Sequence, residues 1–372
     1  MSPAPAQPVA TLSQWQLIRR RFARHRLAAS GLYALLVLYV VAGLAEFLAP
    51  YTREHKDLDQ AYCPPQLPRL SRSFGLHAPA LKQAVDPVTF RKTYLAEADK
   101  VVPLGFFVRG ERYDLFGLIP WDVHFFGVDR GRAGPGIAER GALHMLGADK
   151  YGRDLLSRAI YGARISLSVG LVGIAVVFVL GMTIGGVSGY VGGRADNLIQ
   201  RGIEILNAFP QLPLWLALGA AMPGDWSPLT TYAAITIALS LLSWTHLARV
   251  VRGKILSLRE EDYATAARLL GASHSRVLFR HLLPGFTSHI IVALTLSVPG
   301  MILGETSLSF LGLGLRPPVV SWGVMLQDCM DIKAVTHYPW LMLPVWFIVA
   351  TVLCFNFVGD ALRDAADPYA SR

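Results

Sequence analysis

Residues 165–193 read ISLSVGLVGIAVVFVLGMTIGGVSGYVGG, 29 residues without an Asp, Glu, Lys or Arg, bounded by Arg164 and Arg194. A helix crosses the bilayer hydrocarbon with about 20 predominantly apolar residues, so this stretch has length to spare. Five further windows free of those residue types run through 27–45, 205–224, 226–248, 281–304 and 334–359. Six such windows exclude a large soluble helical protein and predict an all-α integral membrane protein with six transmembrane helices. Composition agrees: 53% of the 372 residues are hydrophobic and 16% are charged, against roughly 25% charged in soluble domains.

The net charge of +9 follows from membrane topology rather than from nucleic-acid binding. Short cytoplasmic segments collect Lys and Arg. With the cluster Arg19-Arg20-Arg21-Phe22-Ala23-Arg24-His25-Arg26 in the cytoplasm, six spans put 194–204, 249–280 and the carboxyl tail on that side. Those segments carry Arg194, Arg201, Arg249, Arg252, Lys254, Arg259, Arg268, Arg276, Arg280 and Arg363, while the opposite turn at 221–230 has no Lys or Arg. Both termini are therefore expected in the cytoplasm. The first window exceeds the roughly 7–15-residue apolar core of a signal peptide and reads as a retained anchor, cleavage after Ala42 or Ala45 being the alternative. Cys63, Cys329 and Cys354 have no metal-ligand spacing; Cys63 and Cys329 share the external face, where a bridge is open to them.

Five segments follow. Residues 1–50 are a tail and first helix, 51–143 an extracytoplasmic loop or small domain, 144–163 an amphipathic entry segment, 164–360 five further helices, and 361–372 a cytoplasmic tail. The 51–143 insertion is rich in Pro, aromatic and charged residues (CPPQLPRL, LIPWDVHFFGVD, RGRAGPG) and sustains neither a helical nor a strand period. Its Trp121, Phe125 and Phe126 are expected to pack inside it, contact with an external partner being the alternative. The chain has no G-x-x-x-x-G-K-[ST] phosphate loop.

The longest cytoplasmic segment contains EDYATAARLLGASHSRVLFRHLLPG, 261–285. Glu260, Glu261 and Asp262 favour a helix start, and Gly271 a left-handed helix stop. Ser273 can cap a second helix at 275–281, which Pro284 stops. A helix–Gly–helix elbow results, with Arg268, Arg276 and Arg280 on its polar faces. Ala264, Ala267 and Leu270 share one stripe, where small side chains admit another surface. Two surfaces fit: lipid headgroups, with Arg on phosphate, or a groove in a cytoplasmic protein. The small residues and the sharp turn favour the groove.

Within that segment Ala266, Ala267, Gly271, Leu283 and Pro284 stand in the register of the E-A-A, Gly, I-x-L-P loop of ABC-importer permeases, with Thr265 in place of the Glu and His281 in place of the Ile. HMLGADKYGRDLLSRAIYGARISLSVG (144–170) resembles the entry segment of dipeptide and oligopeptide permeases of the C type. ETSLSFLGLGLRPPVVSWGVML (305–326) and FNFVGDALRDAADP (355–368) resemble the same proteins; 51–143 lies outside the resemblance. The resemblance implies a type I ABC importer permease fold in the bacterial inner membrane, forming half of a pathway for peptides or peptide-like solutes. It implies as partners a second homologous permease, two cytoplasmic ATPases that hold ATP and Mg, an extracytoplasmic substrate-binding protein and membrane lipid, with no cofactor and no catalysis in this chain. It implies, too, that the loop carrying Thr265, Ala266, Ala267, Gly271, Leu283 and Pro284 inserts a short helix into a groove of the ATPase.

In GADKYGRD, Asp149 and Asp154 read as parts of a tight turn delivering the entry helix, with Arg153, Arg158 and Arg164 at the headgroup level. Leu311-Gly312-Leu313-Gly314 with Pro317-Pro318 reads as a flexible break. Polar residues in the spans are Glu46, Asn207, Gln211, Ser243, His246, His289, Glu305 and Asn356. Such groups bond a neighbouring helix or face a wet cavity. Asn207, Gln211 and Glu305 are the pathway candidates; for Asn207 and Gln211, Pro210 and Pro213 break the third span nearby, and a broken helix can line a cavity. Two other classes remain as alternatives: a membrane hydrolase or metalloenzyme using His246, His281, His289 and Glu305, which lacks H-E-x-x-H and G-x-S-x-G, and a stand-alone secondary transporter, for which Glu46 and Glu305 are the acids at hand.

Overall fold

The computed structural model describes residues 14–88, 92–134 and 141–366; most of the expected amino-terminal tail and the last residues of the carboxyl tail lie outside these. A basic helix α1 (Gln14–Arg24) leads into α2 (Arg26–Gly43) and a one-turn extension, α3 (Ala45–Leu48). After the insertion come α4 (Leu155–Val191), α5 (Gly193–Ala208), α6 (Gln211–Ala220) and α7 (Pro228–Leu258). The elbow supplies α8 (Asp262–Leu269) and α9 (His274–Arg276); α10 (Thr287–Phe310), α11 (Trp322–Leu326), α12 (Ile332–His337) and α13 (Leu343–Ala366) follow. Among the described residues five helices are long and apolar enough to cross a membrane: α2, α4, α7, the run His274–Phe310 and the run Pro339–Ala366.

The third window is filled by two helices in place of one. Pro210 has no N–H to continue α5 and holds Phe209 extended at φ −84, ψ 132. With ten residues, α6 is about 15 Å long, half the hydrocarbon thickness.

Lipid gives helices no hydrophobic reason to associate, so close backbone packing at small residues takes that role. Gly181, Gly185 and Gly189 recur every four residues on one face of α4, against α7. A Cβ at Gly185 would come 2.7 Å from the Ala248 Cα, and one at Gly189 2.8 Å from the Arg252 carbonyl oxygen. On α13 a Cβ at Gly359 would meet Leu296 Cγ of α10 at 2.9 Å.

Pro284 does not stop the elbow's second helix. Its missing N–H is absorbed by a wide π turn over Val277–Leu282 and a tight 3-10 turn over Leu283–Phe286, after which α10 continues. The fifth span therefore begins inside the elbow, at His274 rather than at 281.

Residues 69–128 depart from the all-α expectation. β1 (Arg69–Ser71), β2 (Gly75–Val85), β3 (Lys92–Leu115) and β4 (Ile119–Val128) form an antiparallel sheet in that order. The register shifts between Pro79 and Leu81 and again between Arg109 and Tyr113. Each irregularity breaks the alternation of faces, and so hides the strand period. The insertion is fastened to the entry segment: Tyr62 N donates to Asp149 O (2.9 Å), Ala148 N to Cys63 O (2.8 Å), and Gln66 N to His144 O (2.8 Å). The Tyr62 ring also stacks on Tyr338 at 4.1 Å.

Within the entry segment, Asp154 caps α4 by accepting from the Ser157 N–H and hydroxyl, each at 2.7 Å. Asp149 accepts from Arg153 Nε at 2.6 Å. Cys63 and Cys329 are free thiols, Cys63 buried and Cys329 half-buried, so the bridge open to them does not form. Burial pushes the Cys63 thiol up to about 12. Of the three aromatics expected inside the insertion, Phe126 packs against the cluster of Ala78, Val102, Leu104 and Leu143, whereas Trp121 and Phe125 are exposed.

Candidate functional site: the elbow at residues 259–286

α7 ends at Leu258 with Arg259 as its C-cap, and the chain turns into α8 with Asp262 in its first turn. The end of α8 is a Schellman turn. Gly271 N–H donates to Arg268 O and Ala272 N–H to Ala267 O, both at 3.0 Å, and Gly271 takes φ +82, where an L side chain costs roughly 1–2 kcal/mol. Ser273 then accepts from the Arg276 N–H and starts α9.

The faces divide differently from the stripe read in sequence. Ala264 is fully buried and Ala267 half-buried, in one cluster with Val251, Ile255, Val277 and Leu278. The small side chains thus let α8 approach its own chain, not a second surface. Leu270 points the other way: it is 88% exposed and Leu269 83%, with Tyr263 and Ala266 exposed beside them. Fully burying a leucine is worth about 1.5–3 kcal/mol, so this outer tip is the surface that gains from being covered.

Polar contacts fasten the elbow to the spans. Arg268 Nη2 donates to the Arg259 carbonyl at 2.9 Å and to Thr265 Oγ1 at 3.0 Å. The hydroxyl standing where the resembling loops carry Glu is therefore tied to Arg268. The Tyr190 hydroxyl at the end of α4 lies 3.1 Å from His274 Nδ1. Beside it, Asp196 of α5 accepts from Arg252 Nε (2.6 Å) and Nη2 (2.5 Å) and from Ser188 Oγ (2.5 Å). The Arg252 hydrogen bonds hold the Asp196 carboxyl below the usual carboxylate range. These bonds join α8 to the end of α7, α9 to α4, and α5 to both α7 and α4.

Of the loop residues singled out in sequence, Thr265, Ala266, Gly271 and Pro284 lie on the surface, Ala267 is half-buried and Leu283 is in the core. Asn207 Oδ1 accepts from Thr245 Oγ1 at 3.1 Å, joining α5 to α7, and Gln211 is exposed in the first turn of α6. Glu305 is fully buried. Its carboxylate accepts from the Ser309 (2.8 Å), Ser321 (2.7 Å) and Ser166 (3.2 Å) hydroxyls, so it ties α10 to α4 and to the residue that caps α11. Sequence reasoning passed over these serines; Ser309 four residues after Glu305, and Ser321 as a cap before Trp322, are the local signals. Among the described residues no group of three or more His, Cys, Asp or Glu side chains gathers as metal ligands.

Five long apolar helices among the described residues define a multi-pass helical membrane protein, and its elbow carries an exposed apolar tip. The chain belongs to the family of binding-protein-dependent transport system inner membrane components, which matches residues 179–372. Residues 13–65 match the N-terminal transmembrane domain of oligopeptide transport permease C. The chain is 41% identical over 230 residues to the dipeptide transport system permease protein DppC of Bacillus subtilis (strain 168), covering 62% of this chain and 70% of that one. It is 43% identical over 226 residues to the oligopeptide transport system permease protein OppC of Escherichia coli (strain K12), covering 60% and 72%. With the glutathione transport system permease protein GsiD of Pectobacterium atrosepticum it shares 40% identity over 253 residues, 68% and 80% of the two chains. A solved amino acid ABC transporter aligns with TM-score 0.40 and 17% identity over 55% of this chain and 92% of that chain.

Proposed function

We propose that this chain forms half of the translocation pathway of an ATP-driven importer for peptides or peptide-like solutes. The names of its relatives, which include dipeptide, oligopeptide and glutathione permeases, support the substrate class. In this reading a second homologous permease completes the pathway, two cytoplasmic ATPases bind ATP and Mg, and an extracytoplasmic protein delivers the solute. The chain itself makes and breaks no covalent bond, and both termini are cytoplasmic. Residues 51–143 are the extracytoplasmic insertion, 144–163 the entry segment, and 164–360 the permease body between the amino-terminal 1–50 and the tail 361–372.

The observation that carries this reading is the exposed Leu269–Leu270 tip on an elbow bonded to α7 and continuous with the fifth span. An ATPase groove that covers Leu269, Leu270 and Ala266 moves α8 when it closes. Arg268 passes that motion to Arg259 and the Gly271 turn passes it to the fifth span, so that the bundle rocks as a rigid body between inward- and outward-open forms. Asn207 and Gln211, at the break between α5 and α6, are the polar groups proposed for the pathway; buried Glu305 acts as an internal brace.

Leu270→Asp tests the reading. Because the side chain is almost wholly exposed, folding of the chain should change by no more than about 0.5 kcal/mol. ATP-driven uptake in proteoliposomes with the partner subunits should fall at least tenfold. Undiminished uptake overturns the role of the tip, and uptake by this chain without any ATPase overturns the ATP-driven mechanism itself.

A further inference from the structure

Three of the aromatic rings that the insertion leaves out of its own core gather at one place, beside the end of the first span. Phe106 and Phe107 of β3 are 59% and 65% exposed, and Phe125 of β4 is 36% exposed. With Phe47 of α3 they form one cluster: ring centroids are 5.9 Å apart for Phe47 and Phe125, 6.1 Å for Phe47 and Phe107, and 5.6 Å for both Phe107 and Phe106 against Phe125. The sheet is held there by His124, buried, with Nδ1 2.6 Å from the Ala49 carbonyl and Nε2 3.0 Å from that of Glu111.

The position of the cluster along the first span follows from helix geometry. From Arg26 to Leu48 the chain is almost continuously helical, about 34 Å at 1.5 Å per residue, so Phe47 stands at the boundary of a hydrocarbon layer roughly 30 Å thick. Before it, α2 exposes Tyr33, Leu36, Val37 and Val40, the kind of surface that lipid covers. Beside Phe47 a cavity opens between sheet and spans. All nine residues lining it are apolar, among them Leu48 at the end of α3, Leu156 in the first turn of α4, and Phe106, Phe125 and Phe126 of the sheet.

An exposed aromatic patch of this kind is unfavourable in water, and aromatic rings concentrate at the interfaces of a bilayer. The patch lies at the end of the exposed apolar face of α2, and the cavity beside it reaches the first turn of α4 at Leu156. We propose that Phe47, Phe106, Phe107 and Phe125 anchor the β-sheet in the outer interface of the bilayer, with phospholipid acyl chains covering the rings and entering the apolar cavity. The sheet is then an interfacial element rather than a domain standing free above the membrane. Its seat in lipid fixes the mouth of the first span and of α4.

The full chain in phospholipid nanodiscs doped with a phospholipid bearing a diazirine on its acyl chain tests this. After photolysis, trypsin cuts at Lys100, Arg109, Arg112 and Arg130 and releases 101–109, with Phe106 and Phe107, and 113–130, with Phe125. Lipid adducts are expected on those phenylalanines. In parallel, hydroxyl radicals should oxidise Phe107 at least fivefold more slowly than Phe74, which is 56% exposed and outside the cluster. Rapid oxidation without adducts places the patch in water and overturns the proposal. Slow oxidation without adducts, or adducts only elsewhere in the two peptides, assigns the cover to protein and overturns it equally.

Discussion

Replacing Gly271 with valine isolates backbone conformation at the elbow, because a Cβ at this position meets no heavy atom within 4 Å. Crowding at the Cβ contributes nothing. The cost comes from φ +82, where an L residue is disfavoured by roughly 1–2 kcal/mol and asparagine by less, its short polar side chain tolerating the left-handed region. Unwinding the Schellman turn relieves the strain, but it breaks the bonds from Gly271 N–H to Arg268 O and from Ala272 N–H to Ala267 O and moves Leu270 off its place. A penalty of that size lowers the ratio of correctly formed to unwound elbows by a factor of about 5–30. Wild type, Gly271→Val and Gly271→Asn, each reconstituted with the partner permease and ATPases, should be compared for ATP-driven uptake per assembled complex. Valine is expected to reduce uptake measurably, by at most about 30-fold, while insertion and assembly stay intact, and asparagine to leave it close to wild type. Full uptake with valine, or equal damage from asparagine, refutes the reasoning.

Two neighbouring glycines on α4 should behave oppositely. Gly185→Ala forces a Cβ against the Ala248 backbone at 2.7 Å and should lower the melting temperature of the purified chain by an amount equivalent to about 1–3 kcal/mol. Gly186→Ala, with its nearest neighbour at an ordinary 3.5 Å, should be neutral or stabilising by up to about 1 kcal/mol; equal melting temperatures would count against backbone packing of α4 on α7. For Glu111 burial raises the carboxyl, but hydrogen bonds with His55 Nδ1 (2.5 Å) and with the Thr52 hydroxyl (2.5 Å) outweigh it and bring it from 4.5 to about 2. A carboxyl depressed in the folded state contributes stability that is full above its unfolded value and lost as pH falls through the folded one. Thermal stability of the wild type should therefore decline between pH 4.5 and 2, and Glu111→Gln should flatten that decline; parallel curves would reject the role of this carboxylate.

The membrane class was legible because it depends on local quantities: the length of an apolar run against the thickness of hydrocarbon, and the Pro210 break where a missing N–H interrupts a helix. The elbow's turn was equally local, since a left-handed residue followed by a capping serine announces itself at Gly271 and Ser273. The sheet was hidden, because two register shifts scramble the alternation that marks a strand.

Which way the elbow faces is a different kind of fact. Periodicity put Ala264, Ala267 and Leu270 on one stripe, yet the end of α8 turns Leu270 outward while the two alanines stay against Val251 and Val277. Glu305 gains its meaning from hydroxyls 139 residues before it and 16 after it in the chain, and no window contains all three. The sequence by itself determined that the chain crosses a membrane and bends at Gly271, because lipid thickness and backbone sterics act on neighbouring residues. Only the tertiary structure decided which leucines a partner can reach and which acid is sealed away, because packing chooses among surfaces that local periodicity leaves equivalent.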